Sequence, residues 1–247
     1  MDLLENKVAI VTGAGSGMGK AISQLFASKG ATVIASDINE ERLSELATDK
    51  IIPVVANVAD ENDVSKMFDK AKELGHLDIL VNNAGIMDSF KTVANLDDAT
   101  WQKIMDVDLN GPFYTTREAV QMMQGQDQGG VIVNVASIGG LFGGRGGCAY
   151  TVAKHGLIGL TKHVAAVYGY NGKIRANAIA PGGVATNITD TIKDVDPDGV
   201  KVAMSFGENL PIGDPDDIAQ LALFLASDNS KFINGAVVTA DGGLTVR

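Results

Sequence analysis

A single cysteine, Cys148, stands in a chain of 247 residues. It excludes an internal disulfide framework and any zinc site built on a cysteine cluster. Aromatic residues are scarce at 5%, and there are only six prolines. Basic residues are outnumbered, 20 against 30 acidic, giving a net charge of −10 and a pI near 4.7. That balance argues against binding a phosphate backbone, so no nucleic-acid partner is expected. The opening Met1-Asp2-Leu3-Leu4-Glu5 carries acids where a secretory signal carries basic residues. The apolar run from Val8 to Val11 is too short to span a membrane. A cytoplasmic location without a membrane partner is expected. His76, His155 and His163 lack partners at metal-ligand spacing, so no metal is expected. What is abundant is hydrophobic residues, 45% against 20% charged, the composition of a folded globular chain.

No linker, repeat or low-complexity tract divides residues 1–247, which read as one domain. Short apolar runs alternate with longer amphipathic stretches. Strands are expected at 7–12, 32–36, 51–56, 78–81, 131–135, 174–179 and 236–239. Helices are expected at 18–28, 40–47, 61–74, 100–123, 149–168 and 215–226, the last with Pro215 at its start, where proline is tolerated. Strict alternation implies parallel pairing through right-handed crossovers. The strands are almost wholly apolar, as when both sheet faces are covered. The expected fold is α/β: a doubly wound, three-layer α/β/α Rossmann sheet, mainly parallel and seven-stranded. In such sheets ligands bind beyond the carboxyl ends of the strands.

Thr12-Gly13-Ala14-Gly15-Ser16-Gly17-Met18-Gly19 follows the first strand and opens the first helix. Glycines let backbone approach a pyrophosphate, and the helix N-terminus offers free N–H groups. No Lys-Ser or Lys-Thr ends the loop, which excludes a nucleotide-hydrolysing P-loop. Asp37 ends the second strand, 18 residues beyond Gly19. A carboxylate there accepts from ribose hydroxyls and repels a 2′-phosphate. With Ser16 neutral and Ile38 apolar, NAD is expected in preference to NADP. Tyr150 and Lys154 are four apart at a helix start and share one face. A neighbouring ammonium favours the phenolate, making Tyr150 a general acid/base. Ser137 leaves the fifth strand 13 residues earlier.

With these motifs the chain resembles the short-chain dehydrogenase/reductase family over nearly its whole length. The residues carrying the resemblance are the Thr-Gly-x-x-x-Gly-x-Gly pattern and Asn82-Asn83-Ala84-Gly85 after the fourth strand. Asn110, Ser137, Tyr150, Lys154 and Pro181-Gly182 after the sixth strand complete it. The resemblance implies a catalytic tetrad of Asn110, Ser137, Tyr150 and Lys154. Tyr150 would exchange the substrate proton, and Lys154 would bind the nicotinamide ribose. Ser137 would polarise the substrate oxygen, and Asn110 would hold a water of a proton relay. Gly13, Ser16, Met18 and Gly19 would line the pyrophosphate, with Asp37 and Ile38 at the adenosine ribose. Asn83, Ala84 and Gly85 would pack beneath that half. Pro181, Gly182, Val184 and Thr186 would anchor the carboxamide. Many members have Asp-Val where this chain has Asn57-Val58, and the Asn57 oxygen would take over the bond to the adenine amine. A homotetramer built on the helices holding Asn110 and Tyr150 is also implied.

The glycine-rich stretch 139–147 is expected to form a flexible, open pocket wall with Leu141 and Phe142 as apolar contacts. A lid is expected at about 187–211, with Val202, Met204, Phe206 and Leu210 as its apolar side. Ser137, Tyr150 and Gly183, with Leu141, Phe142, Met204 and Phe206, would form the substrate pocket. Val93, Leu96 and Trp101 read as packing residues, and so does Cys148. The expected activity is NAD(H)-dependent interconversion of a small uncharged secondary alcohol and its carbonyl. Two readings compete with it: a 3-oxoacyl-[acyl-carrier-protein] reductase, disfavoured by Asp37 and the acidic charge, and a dinucleotide sensor without turnover.

Overall fold

The computed structural model describes residues 3–170, 172–205 and 211–246. Nine strands and eight α-helices alternate along them. They are β1 (Val8–Thr12), α1 (Gly17–Ser28), β2 (Thr32–Asp37), α2 (Glu40–Leu46), β3 (Ile51–Val55), α3 (Glu61–Glu73) and β4 (Ile79–Asn82). Then come α4 (Asp98–Met105), α5 (Gly111–Gln124), β5 (Gly130–Val135), α6 (Cys148–Tyr168) and β6 (Ile174–Pro181). The chain closes with β7 (Gly183–Val184), α7 (Pro197–Met204), β8 (Ile212–Gly213), α8 (Pro215–Ala226) and β9 (Val237–Ala240). Seven strands form one sheet in the order β3-β2-β1-β4-β5-β6-β9. Every pairing in it is parallel. β7 and β8 form a separate two-stranded ribbon. No helix among the described residues is long and apolar enough to cross a membrane.

Strand periodicity sends alternate residues to opposite faces. Ala9 and Val11 of β1 join one core with Ile22 and Phe26 of α1 and Ile218 and Leu223 of α8. Val8 and Ile10 join the other with Met67 and Phe68 of α3, Val120 and Met123 of α5 and Val164 of α6. Short polar side chains start the helices: Asn39, Asp60, Asp97 and Asp196 each accept a hydrogen bond from their own first turn.

The expected uninterrupted helix 100–123 starts earlier, at Asp98, and is broken by a π-turn over Asp106–Asn110. Pro112 supplies the reason. It has no N–H for the Asp108 carbonyl four residues back, and its ring crowds that carbonyl. The turn widens, and the Gly111 N–H bonds instead to Asp106 O, five residues back.

A buried polar network sets α5 and α6 against the sheet. Asn82 accepts from Thr115 Oγ1 at 2.6 Å and donates to Asn134 Oδ1 at 2.9 Å. Asn134 donates onward to Thr161 Oγ1 at 2.8 Å. Because Asn134 is fully buried, truncation strands polar partners away from water. Asn134→Ala is expected to lower stability by about 2–3 kcal/mol, read from urea unfolding.

Candidate active site

The exits of five parallel strands meet at one end of the sheet. Thr12, ending β1, is a junction. Its hydroxyl donates to Val81 O at 3.4 Å and accepts from the N–H groups of Asn83 and Ala84 at 3.0 and 3.1 Å. The Asn83 amide donates back to the carbonyls of Thr12 and Gly13, at 3.0 and 3.2 Å. The glycine loop is thereby clamped to the exit of β4. Gly13 and Gly17 hold φ of +64° and +50°, a region that strains other residues. A Cβ on Gly19 would collide with the Gly13 carbonyl and the Asn83 amide, and one on Gly17 would press on Thr186 at 3.0 Å. Thr186, just after β7, therefore meets the glycine loop directly. Ser16 makes no side-chain cap on α1, and the first turn, with Met18 in it, holds no acid. Its N–H groups and partial positive charge remain available to an anion.

Asp37 lies beside this loop. Its Oδ2 accepts from Gly15 N at 2.9 Å and its Oδ1 from Asn39 N at 3.0 Å. Each oxygen keeps a second lone pair for a ligand hydroxyl. Asn39, rather than Asp37, caps α2, accepting from Arg42 N at 2.9 Å. The Arg42 guanidinium reaches to Asp190, 3.9 Å away. Ile38 is exposed beside Asp37. Asn83 Oδ1 and Ser36 Oγ are buried without a hydrogen-bond partner. The uncapped helix, the glycine cradle and these orphaned atoms fit a dinucleotide, with its pyrophosphate on α1 and a ribose at Asp37. Asn57 fits less simply, since its Oδ1 already accepts from Ala59 N at 3.0 Å. Val58 is buried against Gly111 at the start of α5.

Tyr150 and Lys154 lie one turn apart on α6, 7% and 3% exposed. Lys154 Nζ is 5.5 Å from the Tyr150 ring centre and 3.3 Å from Val135 O. The Ser137 hydroxyl and the Tyr150 ring both flank Gly139, where a Cβ would lie 3.4 and 3.3 Å from them, and the hydroxyl accepts from Gly139 N at 3.0 Å. The buried Asp88 holds the start of α6, accepting from Gly147 N and Tyr150 N, both at 3.0 Å. Burial pushes the Tyr150 phenol up. Lys154 and Ser137 pull it down, and Asp108 and Asp88 push it further up. The net direction is upward, with the Lys154 ammonium pulling toward the phenolate against burial.

Among the described residues no hydrogen bond links the Asn110 side chain to this group. Its amide donates to Asp106 Oδ1 at 2.9 Å, within the π-turn. The residue facing Lys154 is Asp108, two positions earlier and fully buried. Its Oδ2 lies 3.1 Å from Lys154 Nζ, and its Oδ1 accepts from Ile86 N at 2.9 Å. Asp108, not the Asn110 amide, makes the contact with the ammonium. Pro112 carried the signal, because a proline inside a helix pattern redirects the preceding turn.

Pro181 ends β6, and Gly182 packs on Asp241, where a Cβ would lie 2.8 Å away. Gly183 and Val184 form β7 and border a cavity of about 400 Å³ beside the end of β9. Ser137 and Tyr150 do not line that cavity. Gly85 faces Asp108 and Lys154. The stretch 139–147 is only partly the open wall expected. A Cβ on Gly140 would strike the Lys154 carbonyl at 2.7 Å, and one on Gly146 the Tyr150 ring at 2.6 Å. These two glycines serve close packing, whereas Gly143 faces open space. Leu141 packs beside Ala136, Leu157 and Ile158, whereas Phe142 is exposed. Val93 is 80% exposed rather than buried as a packing residue, while Leu96 and Trp101 join Ile104 in a small core.

The lid segment contains a 3-10 turn at Asn187–Thr191 and then α7, with Val202 and Met204 exposed. Phe206 and Leu210 lie outside the described residues. The base of the lid is stitched to the loop after β4. Met87 N donates to Thr191 Oγ1 at 3.0 Å, and Lys193 N to Ser89 Oγ at 2.8 Å. Asp196 accepts from Thr92 N and Asn95 Nδ2 at 2.9 and 3.0 Å. These donors hold its carboxyl well below the usual range.

Fold and site together define a dinucleotide-dependent oxidoreductase of the doubly wound class. Residues 13–245 match the family described as Enoyl-(Acyl carrier protein) reductase. The chain is 44% identical to 3beta-hydroxysteroid dehydrogenase 2 of Eggerthella lenta, over 98% of this chain and 95% of that one. It is 39% identical to a 3-oxoacyl-[acyl-carrier-protein] reductase of Thermotoga maritima, over 98% and 99%. The crystal structure of levodione reductase superposes with a TM-score of 0.88 at 33% identity, over 98% and 99%. The chain belongs to the short-chain dehydrogenase/reductase family, whose members use NAD(P).

Gly19→Ala places a methyl where the glycine loop and Asn83 now touch. NADH affinity, read by nicotinamide fluorescence, is expected to fall at least about tenfold (~1.4 kcal/mol).

Proposed function

We propose that the protein interconverts a cyclic secondary alcohol and its ketone with NAD(H). The observation that carries this reading is the buried cluster of Ser137, Tyr150 and Lys154 beside the exit of β5. Ser137 donates to the substrate oxygen and fixes it beside Tyr150. In the oxidation direction Tyr150 takes the hydroxyl proton as the carbinol carbon gives up hydride. In reduction it returns that proton to the carbonyl oxygen. Lys154 holds the nicotinamide ribose and steadies the phenolate. The nicotinamide supplies hydride acceptance and donation. Gly182, Val184 and Thr186 hold its carboxamide end, while Asp37 reads the adenosine ribose.

The ring-bearing substrate class rests on similarity to the hydroxysteroid dehydrogenase. A second reading, reduction of 3-oxoacyl thioesters, is favoured by the Thermotoga maritima relative. The net charge of −10 opposes docking of an acidic carrier. Apolar exposure of Phe113 on α5 and of Val152 and Val167 on α6 supports a homotetramer built on those helices. The cytoplasm is its inferred location.

Tyr150→Phe removes the acid/base and leaves the cradle intact. Turnover of 3-hydroxysteroids or hydroxycyclohexanes is expected to fall by two or more orders of magnitude, with NADH affinity retained. Retained turnover rejects the mechanism, and turnover only with 3-oxoacyl thioesters selects the second reading. Titration with both cofactors is expected to show NADH preferred by about tenfold or more, and Asp37→Ala to narrow that gap. A preference for NADPH overturns the role given to Asp37.

A further inference from the structure

Asp108 gives its two oxygens separate duties. Oδ1 is taken by the Ile86 N–H at 2.9 Å. Oδ2 lies 3.1 Å from Lys154 Nζ, in an ionic contact not aligned as a hydrogen bond. Neither residue reaches water appreciably, with Asp108 at 0% and Lys154 at 3% exposure. A buried ammonium needs a counter-charge, and the Val135 carbonyl at 3.3 Å is only a dipole. A carboxylate this close in a low-dielectric site offsets much of the ammonium's field. Tyr150, with its ring centre 5.5 Å from Nζ, therefore feels a paired charge rather than a free one.

Four groups act on the Tyr150 phenol from the elements packed around it. Lys154 comes from α6 itself, Ser137 from the exit of β5, Asp108 from the π-turn and Asp88 from the loop after β4. Asp88 is committed to the first N–H groups of α6, so removing it would loosen the helix that carries Tyr150. Asp108 bonds no backbone of α6, and its charge can be removed with that helix start left in place. Space around the pair is limited. A Cβ on Gly85 would lie 2.8 Å from Asp108 Oδ2 and 3.2 Å from Lys154 Nζ. The pair is thus enclosed by the exit of β4 on one side and the π-turn on the other.

Resting on the reading of Tyr150 as the acid/base, we propose that Asp108 is a positioning residue: it anchors Lys154 and offsets the charge Lys154 presents to Tyr150, so the site accepts the substrate proton at more alkaline pH than an uncompensated Tyr–Lys pair would. The sign follows from the charges. Deleting a negative charge near the phenol favours the phenolate, so its titration midpoint falls.

The test follows Tyr150 directly by ultraviolet phenolate absorbance in full-length wild type and Asp108→Asn. The same titration of Tyr150→Phe and of the double variant is subtracted from each. The midpoint is expected to fall by about one to two pH units in Asp108→Asn. A midpoint that is unmoved, or that rises, overturns the proposal. Asp108→Ser is made in parallel, because it removes the charge without placing an amide donor against the ammonium. Cooperative unfolding and NADH binding confirm that each variant is folded. The rising, acid-side limb of kcat/KM for alcohol oxidation, where the base must lose its proton, is measured alongside. If the phenolate midpoint falls and this limb does not follow, the role of Asp108 stands and the acid/base reading of Tyr150 fails.

Discussion

An ammonium buried at 3% exposure is the constraint around which this site is arranged. Lys154 cannot be left unpaired in the interior, since an isolated charge there costs several kcal/mol. Asp108 supplies the partner, and it reaches Lys154 from a π-turn rather than an ordinary helical turn. The π-turn in turn depends on Pro112, which denies the Asp108 carbonyl its usual donor. Gly85 leaves the room the pair requires. Features far apart in sequence therefore answer to one charge: the proline in a helix, the glycine after β4 and the acid between them.

The rest of the site is held by polar links between loops rather than by the apolar cores. Thr12 and Asn83 lock the exits of β1 and β4 together. Asp88 ties the exit of β4 to the start of α6. Ser89 and Asp196 carry the same loop on to the lid. The parallel sheet makes this economy possible, because all its strand exits lie at one end. The order β3-β2-β1-β4 reverses direction between β1 and β4, and the glycine loop and Asn83 sit at that reversal.

Much of this was legible in the sequence because it rested on local chemistry. Strand and helix alternation gave the sheet, and boundaries moved by only one or two residues at most ends. The glycine loop, Asp37, Ser137, Tyr150 and Lys154 are set by short spacing after a strand, and the structure brings them to the same end of the sheet. What escaped the sequence depended on three-dimensional contact. Asn110 and Asp108 are two residues apart, and only the register of the π-turn decides which faces Lys154. The glycines at 140 and 146 read as flexibility, yet they exist so that backbone can lie against α6 and the Tyr150 ring. Asp88 and Asp196 bond to backbone and side chains nearly sixty and over a hundred residues away, so no local pattern marks them.

The two carboxylates around Tyr150 are compensated in different ways, and the difference matters for function. Asp88 spends its charge on N–H groups at a helix start, where the helix dipole is positive. Asp108 spends its charge on a side-chain ammonium. The first arrangement fixes where the phenol sits, since it grips the Tyr150 backbone itself. The second tunes how readily the phenol ionises, since it acts on the cation nearest the ring. Position and ionisation of one oxygen are thus governed by separate acids on separate elements. A change at Asp108 can move the working pH without moving the tyrosine, whereas a change at Asp88 displaces the tyrosine together with its helix.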